Sequence, residues 1–164
     1  MKFDIRWGYN NVRIKKGNKW KAVFKTNRGL FEPTVMFFGL INSSTMFQTM
    51  MDKLFKEELA TGNIVIYMDN ILITIAGTLN THKQEVCNIL QKLKNNNLFL
   101  KSEKCQFHQR EMEYLGVIVG NGQVKMDPVK VQGISKWPTL TIVRELCSFL
   151  GFGNYYKDFI ANYS

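Results

Sequence analysis

Two aspartates, Asp4 and Asp69, stand inside stretches that otherwise read as strand. Asp69 and Asn70 are flanked by two apolar, β-branched runs, Ile64-Val65-Ile66-Tyr67-Met68 and Ile71-Leu72-Ile73-Thr74-Ile75. Both runs favour strand, and Asp and Asn tolerate the positive φ of a two-residue turn. The segment therefore predicts a tight β-hairpin turning on Asp69-Asn70, with a carboxylate at its tip. Asp4 follows Phe3 and precedes Ile5, where a central strand would place another aliphatic residue, so its carboxylate needs a partner. Two carboxylates from separate strands are hard oxygen donors that suit Mg²⁺, an ion usually held by one or two carboxylates plus substrate phosphates. A pair of such ions about 4 Å apart clamps the attacking and leaving oxygens of a phosphoryl displacement. The chemistry so indicated is nucleotidyl transfer. Taken singly, the same residues also suit an ordinary Asp-Asn turn and a locally satisfied strand end.

The charge distribution bears on the same question. The 164-residue chain carries a net charge of +9. Residues 1–33 hold nine Lys/Arg against Asp4 and Glu32, which is +7 of that total. Phe3, Trp7, Tyr9, Trp20, Phe24 and Phe31 are interleaved with these cations. Such a surface suits phosphates and stacked bases, and it also suits a solvated basic face on a twisted sheet. With 45% hydrophobic residues the chain can bury a core as one domain, or as one domain with a small appendage. Cys87, Cys105 and Cys147 lack the spacing of a disulfide framework or a zinc site and are expected to be reduced core thiols. Apolar runs fall far short of the ~20 residues that span a bilayer, and no basic-then-apolar leader opens the chain. An intracellular protein, cytoplasmic or nuclear and without a membrane partner, is the expectation.

The elements that would position these groups follow from periodicity. A small antiparallel array with basic turns is predicted from Lys2–Ile5, Val12–Ile14, Trp20–Thr26 and Leu30–Met36, the last interrupted at Pro33. Asn42, Ser43 or Ser44 can cap a helix over 45–59, whose stripe of Met46, Phe47, Met50, Met51, Leu54 and Phe55 reads as core. After the hairpin, Ala76–Asn80 leads into a second helix to about Asn97, with Val86, Ile89, Leu90 and Leu93 on its apolar face. His82 at its start reads as a capping or solvated histidine. The segment 98–107 crosses back with Lys101 and Lys104. A hairpin of 112–119 and 123–126 turns on Gly120-Asn121-Gly122, and Asp127-Pro128 caps a third helix to about Lys136. Two closing helices, 142–150 and about 154–161, are expected on either side of Gly151-Phe152-Gly153.

Ordered motifs run through the chain: Phe3-Asp4-Ile5-Arg6-Trp7-Gly8-Tyr9, Gly29-Leu30-Phe31-Glu32, Phe38-Gly39-Leu40, Phe47-Gln48, Tyr67-Met68-Asp69-Asn70, Lys104-Cys105, Tyr114-Leu115-Gly116, Ser148-Phe149-Leu150-Gly151 and Asn154-Tyr155-Tyr156. Together they resemble the reverse transcriptase of gypsy-type LTR retrotransposons over nearly the whole chain. The resemblance implies an α+β fold, the right-hand polymerase palm of antiparallel sheet backed by helices. It also implies partial fingers at about 13–40 within a palm region of 1–126, and the helical start of a thumb or connection at 127–164. Asp4 and Asp69 are then the catalytic, metal-ligating carboxylates, with Ile5 completing the metal set around Mg²⁺ or Mn²⁺. Tyr9 matches the aromatic gate against a ribose 2′-hydroxyl, and Phe38, Gly39 and Gln48 match the segment lining the nucleotide. Lys104 matches a lysine that serves as general acid toward pyrophosphate, and Tyr114, Leu115 and Gly116 match the primer grip. The implied partners are an RNA or DNA template with its primer and deoxynucleoside triphosphates, and the oligomeric state is left open.

Two departures qualify the match. The family signature ends in a second aspartate, whereas this chain has Asn70, which keeps the shape and removes one negative charge beside the metals. Ser44-Thr45-Met46 replaces a smaller Pro-Ala-Thr run. The first motif begins at the third residue, so the basic finger segment upstream of it is expected to be missing. Three outcomes stay open on these grounds: an impaired polymerase, a catalytically dead nucleic-acid-binding remnant, and a non-functional fragment of a decayed element.

Overall fold

The structure is a computed structural model that describes residues 1–75 and 77–163. Ala76, at the head of the expected lead into the second helix, and Ser164 lie outside them. The chain divides into two compact units, Met1–His108 and Gln109–Ser164. This division falls ahead of the change expected at 126–127.

The first unit runs through β1 (Lys2–Asp4), 3-10 turns at Gly8–Asn11 and Lys19–Ala22, and the strands β2 (Phe24–Thr26) and β3 (Gly29–Phe31). Helices α1 (Ser43–Leu54) and α2 (Lys56–Ala60) follow, then strands β4 (Ile64–Tyr67) and β5 (Asn70–Ile73), helix α3 (Leu79–Asn95) and a 3-10 turn at Ser102–Lys104. The central sheet is antiparallel in the order β1-β5-β4, while β2 and β3 pair apart from it. Its core is built from Phe3, Ile5, Ile64, Ile66, Ile71 and Ile73 of the sheet, Phe47, Met51 and Phe55 from α1 and its end, and Val86, Ile89 and Leu93 of α3. Each such side chain contributes roughly 1.5–3 kcal/mol by leaving water. The i, i+4, i+8 rise of Phe47, Met51 and Phe55 is what turns one face of α1 onto the sheet.

Several sequence expectations change here. Val12–Ile14 makes only an isolated bridge, Arg13 to Val35, because Pro33 has no N–H with which to extend the ladder. The run from Trp20 to Thr26 is half 3-10 turn and half strand. The expected helix over 45–59 breaks at Phe55 into α1 and α2. Met46 and Leu90 are exposed rather than core. No side chain at Asn42 caps α1: the Ser43 hydroxyl donates to the Phe37 carbonyl and the Ser44 hydroxyl meets that of Tyr9. Thr78 caps α3, accepting from the Thr81 N–H at 3.2 Å, and His82 stands half-buried in its first turn. Cys87 and Cys147 are exposed free thiols, so only Cys105 approaches the expected core position.

The second unit is a three-stranded meander, β6 (Glu111–Tyr114), β7 (Val117–Gly120) and β8 (Gln123–Met126), followed by α4 (Pro128–Ser135) and α5 (Val143–Tyr155). The strand expected over 112–119 is two strands, folded at Leu115 and Gly116, whose φ of 49° and 81° suit a two-residue hairpin turn. Asp127 caps α4 by accepting from the Val129 N–H at 2.9 Å. The two closing helices are one, because α5 continues through Gly151 and Gly153. Glycine weakens a helix interior by about 1 kcal/mol. Here the packing of Trp137 on Phe149 and Phe152 and of Phe152 on Tyr156 offsets that loss.

Candidate active site

The central sheet brings the two aspartates to one end. In the pairing of β1 with β5, Asp4 lies opposite Asn70. The Ile5 N–H then donates to the Asp69 carbonyl at 2.8 Å, tying the end of β1 to the hairpin tip. The tip itself differs from expectation. Tyr67 pairs with Asn70, so the two turn residues are Met68 and Asp69, and Asn70 is the first residue of β5. In this register Ile64, Ile66, Ile71 and Ile73 share the core face, as they also would with the turn moved by one residue, and what ties the observed one is the pairing of β1 with β5 and the Ile5 N–H on the Asp69 carbonyl. The consequence is that Met68 takes the left-handed conformation, φ 53°, that Asn or Asp would have taken more readily.

Gln48 holds that turn in place. Its Oε1 accepts from the Met68 N–H at 2.7 Å, and its Nε2 donates to the Ile66 carbonyl at 3.2 Å and to Asp52 Oδ1 at 2.8 Å. A residue expected to line the nucleotide thus spends its amide on the hairpin from α1. No sequence signal marked this, because it depends on the backbone at Met68 being turned inward.

Asp4 is buried, and its Oδ1 is wholly shielded from solvent. What faces that oxygen is a short ion contact, the Lys101 ammonium at 2.5 Å, which also lies 3.8 Å from Asp69 Oδ2. Lys104 Nζ stands 3.7 Å from Asp4 Oδ2. The contact with Asp4 raises the Lys101 pKa above its ordinary value against the opposing effect of burial, and the charges of Asp4 and Asp69 add to it. Sequence reasoning singled out Lys104 and passed over Lys101. The signal was their spacing of three across the 3-10 turn, in which i and i+3 eclipse and both amines point the same way. Asn70 Nδ2 donates to Asp69 Oδ1 at 3.4 Å.

Tyr9, Phe38 and Gly8 join Asp69 and Phe47 around a pocket of about 50 Å³. The Tyr9 ring packs against Phe38, with centroids 4.8 Å apart, and edge-on to Phe47 at 5.7 Å, and its hydroxyl is 3.0 Å from Ser44 Oγ. Gly8 is needed for closeness, since a Cβ there would stand 3.1 Å from the Phe47 ring and 3.5 Å from the Asp69 Cβ. Gly39 sits in open space but at φ 99°, so its requirement is conformational. Asp4, Ile5, Tyr9, Phe38, Gly39, Gln48, Asp69, Asn70 and Lys104 all belong to the first unit.

Tyr114, Leu115 and Gly116 belong to the second unit and form the turn between β6 and β7. Tyr114 is buried, the Leu115 carbonyl accepts from the Tyr155 hydroxyl, and the Gly116 carbonyl accepts from the Tyr156 hydroxyl at 3.1 Å. In the first unit, Lys15, Lys16, Lys21, Lys25 and Arg28 are exposed together with Trp20, Leu30 and the stacked cross-strand pair Phe24 and Phe31. This stretch therefore exposes both cationic and apolar side chains, with Lys25 and Leu30 on the opposite face of the β2–β3 ladder from Phe24 and Phe31.

The donor set suits a hard divalent ion. Asp4 and Asp69 supply carboxylate oxygens at one end of the sheet, which is a fit for Mg²⁺ or Mn²⁺ when phosphates and water complete the shell. No third His, Cys, Asp or Glu joins them in a metal-holding group among the described residues. No helix among these residues is long and apolar enough to cross a membrane.

The chain is 34% identical over 162 residues to the retrovirus-related Pol polyprotein from transposon opus of Drosophila melanogaster, covering 98% of this chain and 16% of that protein. It is 33% identical over 159 residues to the transposon Tf2-7 polyprotein of Schizosaccharomyces pombe, covering 97% of this chain and 12% of that one. The chain thus spans about one-sixth or less of the relatives it matches. Among solved structures, foamy viral protease-reverse transcriptase in complex with double-stranded DNA superposes with a TM-score of 0.88 at 20% identity, over 98% of this chain and 28% of that one. The same enzyme with an RNA/DNA hybrid gives 0.82 at 20% identity, over 94% and 21%. These likenesses show the α+β polymerase fold. Residues 1–119 match the reverse transcriptase (RNA-dependent DNA polymerase) family, and with the transposon polyproteins as relatives the chain belongs to that family, as a retrotransposon reverse transcriptase domain.

Proposed function

We propose that this chain is the catalytic part of a template-directed DNA polymerase that extends a primer by metal-dependent nucleotidyl transfer. The observation that carries the reading is the convergence of Asp4, Asp69 and the Tyr9 pocket on one end of the central sheet. In this reading residues 1–126 serve as palm with partial fingers, about 13–40, and 127–164 as the start of a thumb. Asp4 and Asp69, with the Ile5 backbone, hold Mg²⁺ or Mn²⁺. When bound, the ions neutralise phosphate charge and favour ionisation of the primer 3′-hydroxyl. Tyr9 floors the sugar site, where its ring, wedged against Phe38 and Phe47, leaves no room for a 2′-hydroxyl. Phe38 and Gly39 line the nucleotide side, and Gln48 acts behind them through the hairpin. Lys104, partly solvated and close to Asp4, is placed to give a proton to the departing pyrophosphate. The turn of Tyr114, Leu115 and Gly116 positions the primer.

The partners in this reading are an RNA or DNA template with its primer and deoxynucleoside triphosphates, met in the cytoplasm or nucleus. The exposed lysines and aromatic rings of residues 15–31 support nucleic-acid contact by charge and stacking. Primer extension on an RNA template with Mg²⁺ or Mn²⁺, run beside Asp4→Ala, tests the proposal. Extension by the native chain that vanishes in Asp4→Ala is expected, and extension that survives the change overturns it. Asn70 favours a second reading, a remnant that binds without catalysis, because one carboxylate of the signature is lost. That reading requires salt-sensitive primer–template binding with no extension.

A further inference from the structure

Asp4, Asp69, Lys101 and Lys104 form an electrostatic set that is balanced before any metal ion arrives, two carboxylates against two ammonium groups. Lys101 is the member that spans both carboxylates, 2.5 Å from Asp4 Oδ1 and 3.8 Å from Asp69 Oδ2. Its backbone is fixed as well. The Lys101 N–H donates to the Asp4 carbonyl at 2.8 Å, and its own carbonyl accepts from the Lys104 N–H at 3.0 Å and from the Cys105 thiol at 3.2 Å. The side chain is only 23% exposed, whereas that of Lys104 is 59% exposed. Lys101 is therefore a built part of the site.

An ammonium and a divalent ion compete for the same oxygens, since Mg²⁺ binds carboxylate at about 2.0–2.1 Å and leaves no room for an N–H donor on that lone pair. A unit positive charge within 4 Å of both ligands disfavours a second cation by more than a factor of ten, even at an effective dielectric constant of about 20. Asn70 adds no negative charge to redress the balance.

We propose that Lys101 is a resident counter-cation, occupying the space between Asp4 and Asp69 in the metal-free protein and weakening divalent-metal binding until it swings aside. The inference rests on the assignment of these two aspartates as metal ligands. Lys101 thereby sets the metal concentration at which the site loads, and the neutral cluster keeps a buried carboxylate satisfied in the meantime.

The test is Mn²⁺ binding to the full 164-residue chain, read from loss of the free-ion electron paramagnetic resonance signal. Lys101→Met is expected to bind at least about tenfold more tightly than the native chain. Lys101→Arg, which keeps the charge, is expected to show no such gain, and adding Asp4→Asn to Lys101→Met is expected to abolish it. If Lys101→Met binds no more tightly while Asp4→Asn removes native binding, the proposal falls and the ligand assignment stands. If Asp4→Asn changes nothing in either background, the ligand assignment falls, and the proposal with it. Lys101→Met strips a buried carboxylate of its partner, so a second measurement uses the native chain. The Lys101 ammonium resonance, followed by ¹⁵N-detected NMR, is expected to shift as Mg²⁺ saturates the Asp4 carboxylate. A resonance that stays in place at saturation overturns the proposal.

Discussion

Asn70 stands beside Asp69 and donates its amide to Asp69 Oδ1, while its Cα partners are Asp4 on one side and Tyr67 on the other. A carboxylate in its place would exchange a donor for a like charge next to Asp69 and opposite Asp4. In the absence of metal, Asn70→Asp is therefore expected to lower the melting temperature. A repulsion of about 1 kcal/mol would amount to roughly 2–4 °C in a chain of this size. With Mn²⁺ present the order should reverse, because the third carboxylate adds charge that favours the cation. Thermal unfolding of native and Asn70→Asp chains with and without Mn²⁺ reads both arms, and equal responses to the metal would show that position 70 does not sense the ion. The two aspartates were recoverable from sequence because each is a polar residue in an apolar strand run. Lys101 was harder to recover, since its spacing of three from Lys104 carries meaning only once the 3-10 turn aligns the two amines and the backbone tethers Lys101 to Asp4.

The hairpin of β4 and β5 is the element on which the site depends, and its weak point is Met68. A left-handed backbone at a non-glycine residue costs about 1–2 kcal/mol, and the contact that offsets this is the Gln48 carbonyl oxygen on the Met68 N–H. Gln48→Met keeps the length of the side chain and removes its acceptor and donor. The Met68 N–H and Ile66 carbonyl then lose a partner each, and because both bonds are part-buried the loss is about 1–2 kcal/mol per group. A drop in stability of about 2–4 kcal/mol by urea unfolding is expected on that scale. It should come with faster amide exchange at Met68 than at Ile71 and with reduced primer extension. Uniform loss of protection across the sheet would instead mark Gln48 as an ordinary packing residue. Elements with strong apolar periodicity, α1, α3 and the hairpin, followed from the sequence. Its turn did not, because local chemistry favours Asp69-Asn70 and either turn leaves the same four isoleucines on the core face, so the choice falls to tertiary contacts, the Gln48 Oε1 on the Met68 N–H and the pairing of Asn70 with Asp4. The strands expected at 12–14 and 20–23 failed for a related reason: strand propensity forms no strand without a partner to complete the ladder.

At the scale of the molecule, apolar burial is unevenly divided. The hydrophobic cluster, from Met1 to Leu98 with partly buried neighbours as far as Cys105, lies entirely within residues 1–108. The fully buried aromatic and aliphatic side chains Phe3, Ile5, Phe47, Met51, Phe55, Ile71 and Ile89 all belong to it. In residues 109–163 the buried hydrophobic residues are Met112, Tyr114 and Tyr156, while Val129, Ile142, Val143 and Leu150 are exposed. The first unit thus has a continuous apolar core of its own, and the second has only a few buried side chains around which to fold. Residues 1–108 expressed by themselves are therefore expected to unfold in one cooperative thermal transition, with Asp4 still paired to Lys101. Residues 109–164 alone should show a non-cooperative, nearly linear loss of ellipticity. The first unit already contains both carboxylates, the Tyr9 pocket and the exposed cationic stretch, so the isolated 1–108 fragment should also retain Mn²⁺ binding close to that of the full chain. A fragment 1–108 that fails to fold would mean that the site depends on residues 109–164 for its stability. Metal binding lost from a folded fragment would mean that those residues take part in the ion's environment.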